Sequence, residues 1–144
     1  MLIKIKKLRP DAVIPTCGSD KSAGYDLYAC EDVEIMIPPH TTTLIHTGLS
    51  IQPPEGYYFA IVARSGLATK QGLRPANCYG VCDEDYRGEY MVALHNDTDA
   101  SRVIKPGERV AQLLLMQYYK CDFEEVSELD DTARGEGGFG STGR

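Results

Sequence analysis

The sequence lacks any apolar run near 18 residues, so no transmembrane span is expected. It also lacks a signal-peptide core: Met1 to Lys7 alternates apolar and basic residues, the pattern of a first strand. No internal repeat is evident, and no amphipathic helix of ordinary length. Cysteine is sparse and odd in number. Cys17, Cys30, Cys78, Cys82 and Cys121 fit reduced thiols in a cytoplasmic protein better than a disulfide framework. Cys78 and Cys82 stand four apart, but no second pair accompanies them, so no structural zinc is expected. The three histidines, His40, His46 and His95, lie far apart and form no local Cys–His or Ser–His signature. A basic excess is missing too. Net charge is -6, and the six acids from Asp122 to Asp131 account for it, the other 15 acids balancing 15 bases. A broad nucleic-acid surface is therefore disfavoured. A small anionic ligand needs only a few arginines in one place.

What is present is one domain's length, 144 residues, with short β-prone runs cut by proline and glycine. Strands are expected over Leu2–Leu8, Tyr25–Ala29, Val33–Ile37, Thr41–Ile51, Tyr57–Ala63, Arg102–Lys105 and Val110–Tyr119. That pattern predicts an all-β sandwich or barrel. Its one short helix is expected at Leu67–Gln71, closed by Gly72.

Four stretches carry candidate chemistry. Gly80 to Met91 reads as a hairpin with a loaded loop: glycines bracket Asp83, Glu84, Asp85, Tyr86 and Arg87. Alone, it is equally a solvated acidic turn or a pocket floor. Arg64-Ser65-Gly66 opens the helical turn, leaving free N–H groups that suit phosphate, or simply forming a loop. Asp26 sits among apolar residues in a strand, as a turn cap or a buried acid with a partner. The tail, Arg134 to Arg144, has five glycines in eleven residues, the usual mark of disorder. Its Arg134, Phe139, Ser141 and Thr142 are nonetheless the types that grip phosphate, stack on a ring and bind oxygens, which suits a tail ordering over a ligand.

Five segments, in order, resemble the motifs of the trimeric deoxyuridine triphosphate nucleotidohydrolases, the dUTPases. They are Ala23-Gly24-Tyr25-Asp26-Leu27, Arg64-Ser65-Gly66-Leu67-Ala68, Gly80 to Gly88, Gly107-Glu108-Arg109-Val110-Ala111-Gln112, and Arg134 to Gly143. The departures are small: Cys82 replaces a common isoleucine, raising the question of thiol sensitivity, and Glu108 a common aspartate.

The resemblance implies a distorted jelly-roll assembling as a homotrimer with active sites at subunit interfaces. It implies a core over residues 1–121, an acidic arm over 122–133 and a lid over 134–144. It implies hydrolysis of dUTP to dUMP and pyrophosphate, which keeps uracil out of DNA and supplies dUMP for thymidylate synthesis. Asp83 is the implied general base. Backbone at Gly80, Val81, Cys82 and Met91, assisted by Asn77, would read uracil, and Tyr86 would exclude a 2′-hydroxyl. Arg64, Ser65, Gly66 and Gln112 would hold phosphates, and a neighbour's Arg134, Gly140, Ser141 and Thr142 the distal phosphate. Phe139 would stack on the base. Asp26, Asp85, Glu108 and Arg109 are expected behind these, pairing acids with arginines. Mg²⁺ is implied on the phosphates and water, with no direct protein ligand. The same fold also serves dCTP deaminases, which need a glutamate base in place of this Asp-x-Asp-Tyr loop. A trimeric protein-binding regulator is the alternative outside enzymes.

Overall fold

A computed structural model describes residues 1–138 of the chain. Among these, twelve strands surround one short helix. In chain order they are β1 (Lys4–Lys7), β2 (Thr16–Cys17), β3 (Tyr25–Tyr28), β4 (Ile35–Ile37), β5 (Thr42–Ile45), β6 (Leu49–Gln52) and β7 (Tyr57–Val62). Helix α1 (Ser65–Gln71) follows, then β8 (Leu73–Pro75), β9 (Tyr79–Cys82), β10 (Val92–Asn96), β11 (Arg102–Ile104) and β12 (Arg109–Gln117). The strands form four small antiparallel sheets. The largest has the order β2-β3-β12-β7-β9, the next β5-β10-β8, and two pairs, β1-β6 and β11-β4, complete the jelly-roll.

The long apolar run becomes β12, as its length and β-branched neighbours require, and pairs β3 on one side and β7 on the other. Because β7 lies between β12 and β9, its centre, Phe59-Ala60-Ile61, is buried at every position rather than at alternate ones. Strand β10 alternates instead: Val92, Leu94 and Asn96 point inward, Ala93 and His95 less so. The core gathers Leu27, Ile37, Ile45, Leu49, Leu73, Leu94, Ile104 and Leu113, all at most 1% exposed. Each such side chain contributes roughly 1.5–3 kcal/mol by leaving water.

Helix α1 is two residues longer at its start than expected, beginning at Ser65. Gly72 ends it at φ 65°, a left-handed backbone that a side chain resists, and its N–H closes on the Leu67 carbonyl. Two other expectations change. Thr41–Ile51 is two strands, β5 and β6. Between them the His46 carbonyl accepts from the Cys30 N–H at 2.7 Å and the Thr47 hydroxyl donates to the Tyr90 carbonyl, so these residues are tied out of the ladder.

The hairpin is also revised: β9 and β10 belong to different sheets and share no ladder. Alternation marked both as strands but carries no information on which strand each meets. The return limb, Arg87–Tyr90, fastens onto the start of β6. Ser50 Oγ donates to the Arg87 carbonyl at 2.8 Å, and the Tyr90 N–H to the Leu49 carbonyl at 2.8 Å.

After Tyr118 the described chain holds no strand or helix, and Phe123 and Leu129 are 97% and 87% exposed.

Candidate active site

Two groups of functional residues form, on opposite sides of β7 in the large sheet. The first is built on Asp26. Strand β3 places it opposite Gln112 of β12, and its carboxylate is buried, only 4% of the residue being exposed. A buried carboxylate is costly unless paired. Arg64 Nε donates to Oδ1 at 3.0 Å and Arg109 Nη1 to Oδ2 at 3.1 Å, with Gln112 Nε2 nearby at 3.5 Å. Arg64 Nη1 also donates to the Arg109 carbonyl at 3.1 Å. One acid thus anchors two guanidiniums and leaves a net positive charge. Arg109 stays half exposed, able to face an anion. Beside them Ser65 and Gly66 begin α1, with no side-chain cap and no acid in the first turn. The first N–H groups of a helix have no partner within it, so this end favours negative charge.

The second group surrounds a cleft of about 230 Å³ between β9 and the start of β10. Asn77, Gly80, Val81, Cys82, Tyr86 and Met91 all line it. Strand β9 pairs only with β7, so its outer backbone edge is free on the cleft side. Tyr86 lies 5.9 Å from Tyr90 between ring centroids, tilted 30°, and donates its hydroxyl to the Glu89 carbonyl at 3.0 Å. Gly88 leaves the space for this: a Cβ there would lie 2.3 Å from the Tyr86 hydroxyl. Asp83 follows β9 directly, one residue after the cleft-lining Cys82, and is exposed.

Some expected residues fall elsewhere. Glu108 does not pair with an arginine; its Oε2 accepts the Lys105 N–H at 3.1 Å and caps the turn into β12, a contact only three residues long. Asp85 is exposed, and no hydrogen bond or ion pair from its side chain is found among the described residues. Arg134 lies on the described end of the tail, where Nε donates to the Gly137 carbonyl at 2.7 Å. Phe139, Gly140, Ser141 and Thr142 lie outside the described residues. Cys82 is buried, and that burial pushes its thiol up to about 11, so it stays protonated at neutral pH. The thiol sensitivity raised by the sequence is therefore not expected.

Sequence reading missed the supports of the cleft. Glu89 accepts from the Gly48 N–H at 2.7 Å and from His46 Nδ1 at 2.9 Å. Burial opposes ionisation of Glu89, but the bonds from His46 and the Gly48 N–H outweigh it and hold the carboxyl below its usual range. The bond to Glu89 in turn raises His46. Tyr90 backs the cleft with its ring. These partners are some 40 residues apart, and nothing local in the sequence signals them.

The two groups do not meet within one chain. In the β7–β9 ladder Cys82 lies opposite Phe59, and Tyr79 opposite Val62. Arg64 is therefore five residues along β7 from the end where Asp83 sits, on the order of 17 Å at the usual strand rise.

A family model for dUTPase matches residues 11–143. The chain belongs to the dUTPase family. Deoxyuridine 5′-triphosphate nucleotidohydrolase of Syntrophotalea carbinolica is 43% identical over 98% of this chain and 96% of its own length. That of Paramecium bursaria Chlorella virus 1 is 48% identical over 96% of each. Among solved structures, the dUTPase of Staphylococcus bacteriophage 80alpha with dUpNHpp superposes with a TM-score of 0.91 at 27% identity, over 99% of both chains. The fold of the described residues is thus the dUTPase fold.

Proposed function

We propose that this dUTPase-family enzyme hydrolyses dUTP to dUMP and pyrophosphate, at sites each assembled from more than one subunit of a homotrimer. The observation that carries the reading is the separation of two half-sites across the large sheet: a base-sized cleft with an adjacent carboxylate on the β9 side of β7, an arginine-rich anion cradle on the β3 and β12 side. Neither is complete alone. A neighbour's cradle set against this chain's cleft would complete both. The exposed Phe123 and Leu129 on the segment after β12 support assembly, since apolar side chains so placed want a partner surface.

In this reading the free edge of β9, with Met91 and Asn77, offers backbone donors and acceptors to the uracil edge. Tyr86, held over Gly88 and against Tyr90, closes the space a 2′-hydroxyl would need. Asp83 accepts a proton from the water that attacks the α-phosphorus, and the bond to the bridging oxygen of pyrophosphate breaks in line. Arg64, Ser65 and Gly66, with Gln112, hold the phosphates of the neighbour's nucleotide. Asp26 keeps Arg64 and Arg109 aimed. The tail from Arg134 closes over the distal phosphate, with Phe139 on the base and Gly140, Ser141 and Thr142 on phosphate oxygens.

Among the described residues no three His, Cys, Asp or Glu side chains are grouped to hold a metal ion. A Mg²⁺ held by the triphosphate oxygens and water would supply charge neutralisation to the departing pyrophosphate. The test is a panel of dUTP, UTP, dCTP and dTTP with Mg²⁺, assayed for pyrophosphate and ammonia. Pyrophosphate from dUTP alone is expected. Ammonia from dCTP would instead mark a deaminase.

A further inference from the structure

The residue after Asp83 is held in a way the proposed chemistry does not use. Asp83 to Tyr86 is a tight turn, closed by the Tyr86 N–H donating to the Asp83 carbonyl at 3.2 Å. Arg87 Nη1 braces it from within, donating to the carbonyls of Glu84 at 2.6 Å and Tyr86 at 3.0 Å. Glu84 reaches outward instead. Its Oε2 accepts the Gly56 N–H at 2.8 Å and the Tyr118 hydroxyl at 2.7 Å. The Tyr118 N–H in turn donates to the Gly56 carbonyl at 3.1 Å. One carboxylate oxygen therefore joins three places: the turn that carries Asp83, the entrance to β7, and the exit of β12 where the acidic segment departs. Asp83, Glu84, Asp85, Tyr58, Tyr118 and Lys120 line a single groove.

We infer that Glu84 is the positioning residue for Asp83, pinning the Asp83 turn to the Gly56–Tyr118 junction. The inference rests on the reading of Asp83 as general base. Without the pin, the turn keeps its internal braces but can swing about its attachment at Cys82. A general base must lie within hydrogen-bond reach of its water, and a displacement of about 1 Å costs on the order of 100-fold in rate. The carboxylate suits the task because a charged acceptor makes short, strong bonds to N–H and O–H donors. The Tyr118 bond, then the Gly56 N–H, hold Glu84 below the usual carboxylate range, so the acceptor is ionised throughout the neutral region.

The test compares Glu84→Ala, Glu84→Gln and Tyr118→Phe with Asp83→Asn in the full-length enzyme, reading kcat, KM, thermal midpoint and dUpNHpp affinity. Glu84→Ala is expected to lower kcat about 10–100-fold while KM and dUpNHpp affinity move less than about threefold. Glutamine still offers an oxygen acceptor, so Glu84→Gln is expected to recover kcat to within about threefold of the native value. Tyr118→Phe removes one of two bonds and should fall between. Wild-type kcat in Glu84→Ala, with Asp83→Asn inactive, overturns this inference alone. A Glu84→Gln as impaired as Glu84→Ala overturns it too, since charge and not position would then be at stake. An active Asp83→Asn overturns the general-base reading and this one with it. If Glu84→Ala loses its thermal midpoint, the Gln and Phe variants decide by the same kcat criteria.

Discussion

At the scale of single residues, environment separates groups that look alike in the sequence. Asp26 and Asp83 are both aspartates beside apolar strands. Asp26 is buried and bound by two arginines, so its carboxylate is fully occupied in holding cations. Asp83 is exposed, with its carboxylate free to meet water. Of the two, Asp83 suits the proposed general-base role. Asp83→Asn should bind dUpNHpp roughly as tightly as the native enzyme and turn over dUTP at least about 100-fold more slowly, within the range for lost general-base help; retention of most activity would refute the assignment. Cys82 makes the opposite point. Its thiol, pushed up by burial, has almost no thiolate at pH 7.5. Iodoacetamide on the native protein should label the exposed Cys17, Cys78 and Cys121 and spare Cys82, as peptide mass mapping would read.

At the scale of elements, the cleft depends on a turn remote in sequence. The return limb from Arg87 to Tyr90 is fixed not by β9 but by Thr47, Gly48, Leu49 and Ser50, with the His46–Glu89 pair at its edge. That choice of partner keeps the edge of β9 free for a ligand. The pair also gives a pH dependence. His46 is raised in the folded protein, so its contribution is complete below the ordinary histidine value of 6.5 and is lost as pH rises through the folded value. Glu89 is lowered, so its share is complete above 4.5 and is lost as pH falls through its folded value. The pair therefore stabilises most between about pH 4.5 and 6.5. A half-exposed pair is worth at most about 1 kcal/mol. His46→Ala should melt about 1–3 °C below the native protein at pH 5.5, with the gap closing by pH 8.5 in thermal scans. An unchanged gap would show that His46 acts by packing alone.

At the scale of the whole molecule, β7 stands between the two half-sites in the large sheet. If neighbouring chains complete them, two dead variants should rescue each other. Co-expressed Asp83→Asn and Arg64→Ala chains, assembling at random, should recover roughly a quarter of native sites, although each variant alone is inactive. No recovery in the mixed population would place both residues in one chain's site. Deleting residues 134–144 should nearly abolish turnover while sedimentation still reports the native oligomer, because residues 134–138, the described part of that segment, form no part of the core. Full activity in the truncated protein would dismiss the lid.

Gly80 to Met91 illustrates what each level decides. Its residue types, two glycines around acids and an aromatic ring, were legible as a pocket floor, as were the all-β class, the short helix stopped by Gly72 and the five ordered motifs. Those properties follow from local backbone preference, side-chain alternation and chemical identity, all of which are written along the chain. The sequence also suggests a simple hairpin and a pairing of Glu108 with arginine, and leaves open whether Cys82 is thiol-sensitive. Tertiary structure decided otherwise. It sent β9 and β10 to different sheets, spent Glu108 on a turn three residues away, and buried the thiol. It alone brought Asp26 to Arg64 and Arg109, Glu84 to Gly56 and Tyr118, and set Asp83 and Arg64 at opposite ends of one strand. Contacts between residues 30 to 80 positions apart depend on which strands meet, and alternation along a strand is the same whatever partner it finds.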